Sequence, residues 1–214
     1  PYYSARAARK SVQPQMTFKH LLSRLKFAVA PGNVGTANAT YPVVITGIKV
    51  KSAVKGTLTV AATGDNDGDS QAIAWGTTSA DSAEVSIKER SGAANTDLVP
   101  LQEVSMAGLW TTQTQFDFTD PNHYATVGEA LLVAPTAQKY SLIVEGYQNV
   151  DNGSGTPETR TFELPLDITN GTDGFVAGTS YNVQIVVYGL EQIEVYVTLT
   201  PWENVTLDPI GQDE

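Results

Sequence analysis

The chain contains no cysteine among its 214 residues. Disulfides, thiolate metal sites and cysteine nucleophiles are therefore excluded, although this absence does not identify the cellular compartment. No apolar run approaches the roughly 18 residues that a transmembrane helix needs. The opening PYYSARAARK has no apolar stretch either, so it does not read as a signal peptide.

Acidic residues are missing from the first 64 positions, which carry nine Lys or Arg, whereas the later positions carry 23 acids and four bases. Such asymmetry is typical of nucleic-acid arms. Here, however, the Lys and Arg residues are spread through segments with strand-forming composition, such as ITGIKVKSAVKGTLTV, and they do not cluster with aromatic residues. The sequence therefore predicts no nucleic-acid partner. Two interpretations remain, a solvated basic face and head-to-tail attraction between copies.

Catalytic signatures are also missing. No G-x-S-x-G, H-E-x-x-H or phosphate-binding glycine loop is present. The two histidines are interpreted as a packed strand residue, His20, and a loop residue, His123. Acids are numerous, but nothing singles out a pair at glycosidase separation. The sequence predicts that the chain is not an enzyme and has no cofactor.

Helical patterns are scarce, and short apolar runs recur between clusters of Gly, Asn, Asp, Ser and Pro. This arrangement predicts an all-β fold, an antiparallel β-sandwich of transthyretin-like or Greek-key type with room for one short helix. The predicted strands are 41–50, 56–62, 72–76, 84–88, 98–103, 114–118, 131–133, 139–146, 159–166, 181–188 and 193–200.

The last two predicted strands have the clearest alternation. In YNVQIVVY and IEVYVTLT, apolar residues occupy every second position, so one face of each strand is expected to pack on a core. The link GLEQ is short and contains Gly189, which favours an antiparallel hairpin. Pro201 then ends the second strand.

Residues 16–30 allow two interpretations. Phe18, Leu22 and Leu25 would line one face of a helix. In the alternative, Phe18 and His20 would line a strand together with Leu25, Phe27 and Val29, provided that a bulge near 21–23 shifts the alternation. We favour the strand. Residues 1–15 are predicted to form a basic exposed leader or linker, and 16–214 the β-sandwich domain.

Two further patterns suggest ligand sites. Asp65, Asp67 and Asp69 match the start of a calcium loop, but its sixth and twelfth positions are Ser70 and Gly76, so an acidic hairpin tip is favoured.

The aromatic residues provide the second pattern. Trp75, Trp110 and Tyr124 could stack on sugar rings as in a carbohydrate-binding module, or belong to the core, which is the commoner role of Trp.

Ordered motifs give the chain a family resemblance. MTFKHLLSRLKFAV followed by YPVVITGIKVKSAVKGTLTV, then LLVAPTAQKYSLIVEGY and RTFELPL, and finally FVAGTSYNVQIVVYGLEQIEVYVTLTPWE, together resemble fimbrillin-like proteins, the type V pilus subunits of Bacteroidota. The resemblance covers about residues 16–207. It is closest to the C-terminal portion of family members, which would make 16–30 a candidate for the last strand of a preceding domain.

The resemblance implies an exported structural and adhesive subunit of a cell-surface fimbria at the outer membrane. Its partners would be other pilin subunits, joined head to tail, and a host or microbial surface ligand. Membrane attachment would run only through the lipid anchor of a lipoprotein precursor, which this stretch does not contain. Arg6 and Arg9 would then be candidate sites for a maturation protease, or simply parts of a basic linker.

Such subunits are expected to assemble by strand complementation, in which one subunit adds a strand to another. The candidate pairing residues are Ile193, Val195, Val197, Leu199, Val205 and Leu207. Because GLEQ is too short to release 193–200 from its own domain, we favour home pairing of that strand. A subunit that accepts a strand without donating one would suit a tip or accessory position. The alternative function is a carbohydrate-binding cell-surface module.

Overall fold

A computed structural model describes residues 20–58, 73–91, 97–109, 116–135, 140–149, 155–166 and 174–200. Within these ranges the chain forms thirteen β-strands, one short α-helix, α1 (Val34–Ala37), and a 3-10 turn at Ser79–Asp81. The strands are β1 (Ser23–Pro31), β2 (Val43–Ala53), β3 (Gly56–Leu58), β4 (Ile73–Trp75), β5 (Ser82–Ser86), β6 (Lys88–Ser91), β7 (Asp97–Pro100), β8 (Val104–Ser105), β9 (Ala125–Val133), β10 (Tyr140–Gln148), β11 (Glu158–Leu166), β12 (Ser180–Val187) and β13 (Ile193–Thr200). The predicted all-β class with one short helix is confirmed.

Two sheets make up the sandwich. The first, called sheet A, has the order β13-β12-β1-β9, and the second, sheet B, has the order β11-β10-β2-β5 with β8 also paired to β2. Two small hairpins, β3-β4 and β6-β7, lie outside these sheets. Buried side chains from both sheets form one apolar core. Each such side chain contributes on the order of 1.5–3 kcal/mol by leaving water.

β1 is the central strand that joins the two halves of sheet A. It runs parallel to β12 and antiparallel to β9. Parallel neighbours require a long crossover connection, and here most of the chain lies between them. Sheet A is therefore mixed, whereas the ladders of sheet B are antiparallel.

The described part of the ambiguous segment, from residue 20 onward, contains a strand. Leu25, Phe27 and Val29 face the core and are almost completely buried, while Lys26 between them is exposed. The strand begins at Ser23, so no bulge is needed at 21–23. Instead, the register shifts opposite Leu25 and Phe27, where the extra residues belong to β9.

Several other predicted strands differ from the observed ones. Residues 84–88, predicted as one strand, span the end of β5 and the start of β6, which belong to different sheets. Residues 131–133 belong to a longer strand, β9, because Gly128 and its neighbours interrupt the alternation without ending the pairing. Residues 116–118 were predicted as the end of a strand but lie in a loop. Their alternation of Phe and Asp reflects a different arrangement, in which the phenyl rings cover the outer face of sheet A.

Candidate functional site: the open edge of sheet A and its outer face

The last two described strands form the predicted hairpin. β13 pairs with β12 over all eight of its residues, from Thr200 opposite Ser180 to Ile193 opposite Val187. The backbone N–H of Tyr188 donates to the carbonyl of Gln192 at 3.0 Å, which closes the turn. In this structure β13 therefore completes the sheet of its own domain.

The apolar face of β13 meets the core over only part of its length. Ile193 and Val197 are buried and Val195 is half-buried, whereas Leu199 is 54% exposed. All four residues lie on the same face, since side chains alternate along a strand. The core thus covers this face of β13 only as far as Val197, and Leu199 near the end of the strand is exposed to solvent.

The edges of the sandwich differ in how they are protected. Charges and Pro on an edge strand oppose the addition of another strand. β11, the edge of sheet B beside β13, carries Glu158, Arg160, Glu163 and Pro165. At the other edge of sheet A, Glu129 of β9 forms an ion pair with Arg90 at 3.2 Å.

β13 lacks comparable protection. Its sequence IEVYVTLT contains no Pro, Lys or Arg, and it is the terminal strand of sheet A within the described part of the chain. Its single charge, Glu194, accepts hydrogen bonds from Tyr196 Oη at 2.7 Å and Gln192 Nε2 at 3.0 Å. Edge strands that are long, apolar and free of Pro and Lys are the kind to which another strand can pair.

The hydrogen bond from Tyr188 to Gln192 fixes which backbone groups point outward. Alternate residues of an antiparallel strand direct N–H and C=O toward the same neighbour. Residues 194, 196 and 198 therefore point toward β12. Ile193, Val195, Val197 and Leu199 point their backbone groups toward the open side, where a further strand would bind.

A loop at 116–124 lies over the outer face of sheet A. Asp117 accepts hydrogen bonds from the backbone N–H of Thr119 at 2.7 Å and from its hydroxyl at 2.6 Å. The Asp117 carboxylate also lies 3.3 Å from Nδ1 of His123, whose side chain is only 7% exposed. His123 is thus a loop residue, as predicted, and its ring anchors the fold of the loop.

Acid is expected to loosen this loop. Hydrogen bonds from the hydroxyl and backbone of Thr119, with a smaller contribution from His123, lower the pKa of Asp117 from 3.8 to about 2. Because the folded-state pKa lies below the unfolded value, this stabilisation is present above about pH 4 and is lost as pH falls toward 2. Thermal unfolding between pH 7 and 2 should show a shallower acid decline for Asp117→Asn than for the native chain.

Asp97→Asn is the matched control, because it removes the same charge from an exposed position at the start of β7. It should leave the acid decline as in the native chain. Equal slopes for Asp117→Asn and the native chain would show that the loop does not depend on this carboxylate.

Aromatic rings from the loop form a row with β13. Phe116 lies 5.2 Å from the ring of Tyr196 and 6.1 Å from Phe118, and Phe118 lies 5.6 Å from Tyr124. Offset and edge-on arrangements at these separations are favourable. The row extends from the open edge of the sheet toward β9.

The structure places only part of the predicted site residues. Tyr124 lies in the aromatic row, and Trp75 is half-buried in β4. The interpretation of His20 as a packed strand residue is wrong, since His20 is exposed and precedes β1. The following predicted residues lie outside the described ranges: Arg6, Arg9, Asp65, Asp67, Asp69, Trp110, Val205 and Leu207.

Sequence reasoning missed the residues around Tyr124. Phe118 was assigned to a strand, and the half-buried Asn182 and Gln184 were noted only as the polar face of β12. The signal was present, since two amides alternating with core residues on a central strand must face something. Their neighbours could not be inferred, because β1 and the loop are distant in sequence.

Two negative findings concern the described residues. None of them form a group of three or more His, Cys, Asp or Glu that could hold a metal ion. Among the described helices, none has the length and apolar character to cross a bilayer.

Together, the fold and its edge define a mixed β-sandwich in which β13 is, among the described residues, an edge strand without Pro, Lys or Arg. The family model for fimbrillin-like proteins matches residues 3–202. The chain belongs to the fimbrillin-like family. No curated protein matches it.

Two solved structures of candidate cell adhesion proteins are similar to the chain. The one from Bacteroides uniformis ATCC 8492 is 15% identical with a TM-score of 0.44, and the match covers 87% of this chain and 53% of that one. The one from Bacteroides eggerthii DSM 20697 is 15% identical with a TM-score of 0.38, and covers 86% and 56% respectively. The chain thus spans about half the length of these structures.

Proposed function

We propose that the chain is a structural and adhesive subunit of a fimbria at the cell surface, joined to other pilin subunits by β-strand complementation. Family membership supports the fimbrial role. The observation that carries the mode of assembly is the unprotected eight-residue edge of β13. The role is non-enzymatic, and export to the surface follows from it.

β13 serves as an acceptor in this proposal. Its full pairing with β12 leaves its other side open to a strand from a neighbouring subunit. Backbone hydrogen bonds would supply affinity and alternate side chains would set the register. Leu199, exposed at the end of the strand, would be covered by the incoming chain. A subunit that only accepts a strand would suit a tip or accessory position, whereas one that also donates a strand would join its own copies into polymers.

Proline substitutions test the edge directly. Val195→Pro combined with Leu199→Pro removes two outward N–H donors while keeping the ladder to β12 intact. We expect the native chain to form polymers after limited trypsin treatment, as measured by light scattering and gel electrophoresis. The double variant should remain folded and form few or none.

Thr198→Pro is the matched control. It removes a donor that points to β12, so we expect a loss of about 1–3 kcal/mol in the free energy of unfolding. Polymers from the double variant that equal those of the native chain would contradict β13 as the acceptor. A native chain that stays monomeric with and without trypsin would contradict assembly by complementation.

A further inference from the structure

The outer face of sheet A contains a small walled pocket. Its volume is about 140 Å³, and one wall is formed by Phe118 and Tyr124 of the 116–124 loop. The floor is formed by outward-facing residues of β1 and β12, with Lys26 beside Asn182 and Ala28 beside Gln184 in the parallel ladder. Ala28 is small, which leaves space above the sheet between the longer side chains.

The polar groups of the pocket have unused hydrogen-bonding capacity. Within the described residues, the side chains of Asn182, Gln184 and Lys26 make no hydrogen bond or ion pair. Each amide offers a carbonyl acceptor and two N–H donors, and the lysine offers three donors. Both amides are half-buried, so a bound ligand would find them oriented and only partly hydrated.

The wall is held in place before any ligand arrives. Asp117 and His123 hold the loop through their contact at 3.3 Å, and Asp120 accepts from the backbone N–H of Asn122 at 2.9 Å. Phe116 links the loop to Tyr196 on β13. Because the rings are already ordered, binding would cost little conformational entropy.

We infer that this pocket binds one ring of a saccharide. An aromatic wall attracts the C–H face of a sugar ring through the negative face of its π-system. Amides that both donate and accept hydrogen bonds match the hydroxyl groups around the ring. A pocket of this size holds a single sugar unit and lies well below the 300–1,000 Å³ of sites for larger ligands.

The charge of the pocket narrows the ligand class. Among the described residues, Lys26 is the one charged residue that lines the pocket, and none of these lining residues carries a carboxylate. This composition is notable on a chain with a net charge of −10. The pocket therefore selects sugars that carry a carboxylate, such as uronic or sialic acids, over neutral sugars. This inference goes beyond strand complementation, because the pocket does not use the open edge of β13.

Titration of the purified chain with sialylated and uronic oligosaccharides and their neutral counterparts tests the assignment. The native chain should bind the acidic probes, with affinity that falls as salt is raised. Tyr124→Ala and Gln184→Ala should each weaken binding about tenfold. Lys26→Met should abolish the preference for acidic over neutral probes. Because Gln184→Ala only truncates a half-buried side chain on the outer face of the sheet, we expect it to fold normally, so that weaker binding by this variant would not reflect misfolding.

Tyr147→Ala and Gln192→Ala are the controls. Tyr147 lies on β10 of the other sheet and donates to Glu103, and Gln192 lies in the β12–β13 turn. Both variants should bind like the native chain. Affinity unchanged by Tyr124→Ala and Gln184→Ala, or no binding of any saccharide at millimolar concentration, would overturn the inference. If Tyr124→Ala and Gln184→Ala lose saccharide binding but still form polymers, the pocket acts independently of the assembly edge.

Discussion

Replacing Phe27 by alanine is expected to lower the free energy of unfolding by about 3–5 kcal/mol. Phe27 is 2% exposed and lies on β1, the strand that joins the β12–β13 hairpin to β9. Its removal would leave a cavity between the sheets where the central strand crosses the core. Since small domains are stable by only about 5–15 kcal/mol, the loss would be a large part of the total. Chemical denaturation would measure it.

Lys26→Ala is the control for this prediction. Lys26 is the next residue on β1 but is exposed on the opposite face, so its truncation should change stability by no more than about 0.5 kcal/mol. Similar losses for both variants would mean that β1 is not packed as the structure shows.

Gly128→Ala is expected to destabilise the chain by about 2–5 kcal/mol, through two separate effects. Gly128 has φ of +61°, which costs a residue with a side chain roughly 1–2 kcal/mol. An added Cβ would also overlap Cγ2 of Ile87 and lie 2.9 Å from the carbonyl oxygen of Lys88. Such overpacking typically costs a further 1–3 kcal/mol. Denaturant unfolding would measure the sum.

Gly108→Ala separates the two effects. Gly108 has φ of +74°, but an added Cβ would meet nothing within 4 Å. This variant should therefore show only the backbone cost, roughly 1–2 kcal/mol. If Gly128→Ala cost no more than Gly108→Ala, the tight contact between β9 and the segment at Ile87 would not exist in solution.

Gly128 also explains why β9 was hard to predict. Val127 opposes Phe27 and Leu131 opposes Leu25, so three residues of β9 lie between positions that are only two apart on β1. The extra residues shift the alternation, so the pattern of Thr126 to Leu132 matches no single strand face. The sequence pattern therefore predicts only a short strand at 131–133, whereas pairing with β1 gives β9 nine residues, Ala125–Val133.

The edge and the pocket occupy the same sheet but use different atoms. Assembly would use the outward backbone groups of β13, whereas the pocket uses side chains of β1, β12 and the loop. Tyr196 is the link, since it lies on β13, opposes Gln184 and contacts Phe116. Its hydrogen bond to Glu194, helped by burial, raises the pKa of Tyr196 from 10.0 to about 12.

The sequence by itself determined the β12–β13 hairpin. It follows from local alternation and a short glycine-containing link, which need no knowledge of distant residues. For β1 the alternation favoured a strand but left a helix open, and the packing of Leu25, Phe27 and Val29 in the core decided between them. It also determined the all-β class and the family resemblance, which the match over residues 3–202 confirms.

Only the tertiary structure decided where β1 pairs and what covers its outer face. Nothing local in SRLKFAVAP indicates a parallel partner 156 positions later, where Arg24 lies opposite Ser180. The same crossing brings Lys26 beside Asn182 and Ala28 beside Gln184, and these residues line one pocket together with Tyr124. Strand order is set by the total burial of both sheets rather than by any one segment, so periodicity cannot specify it.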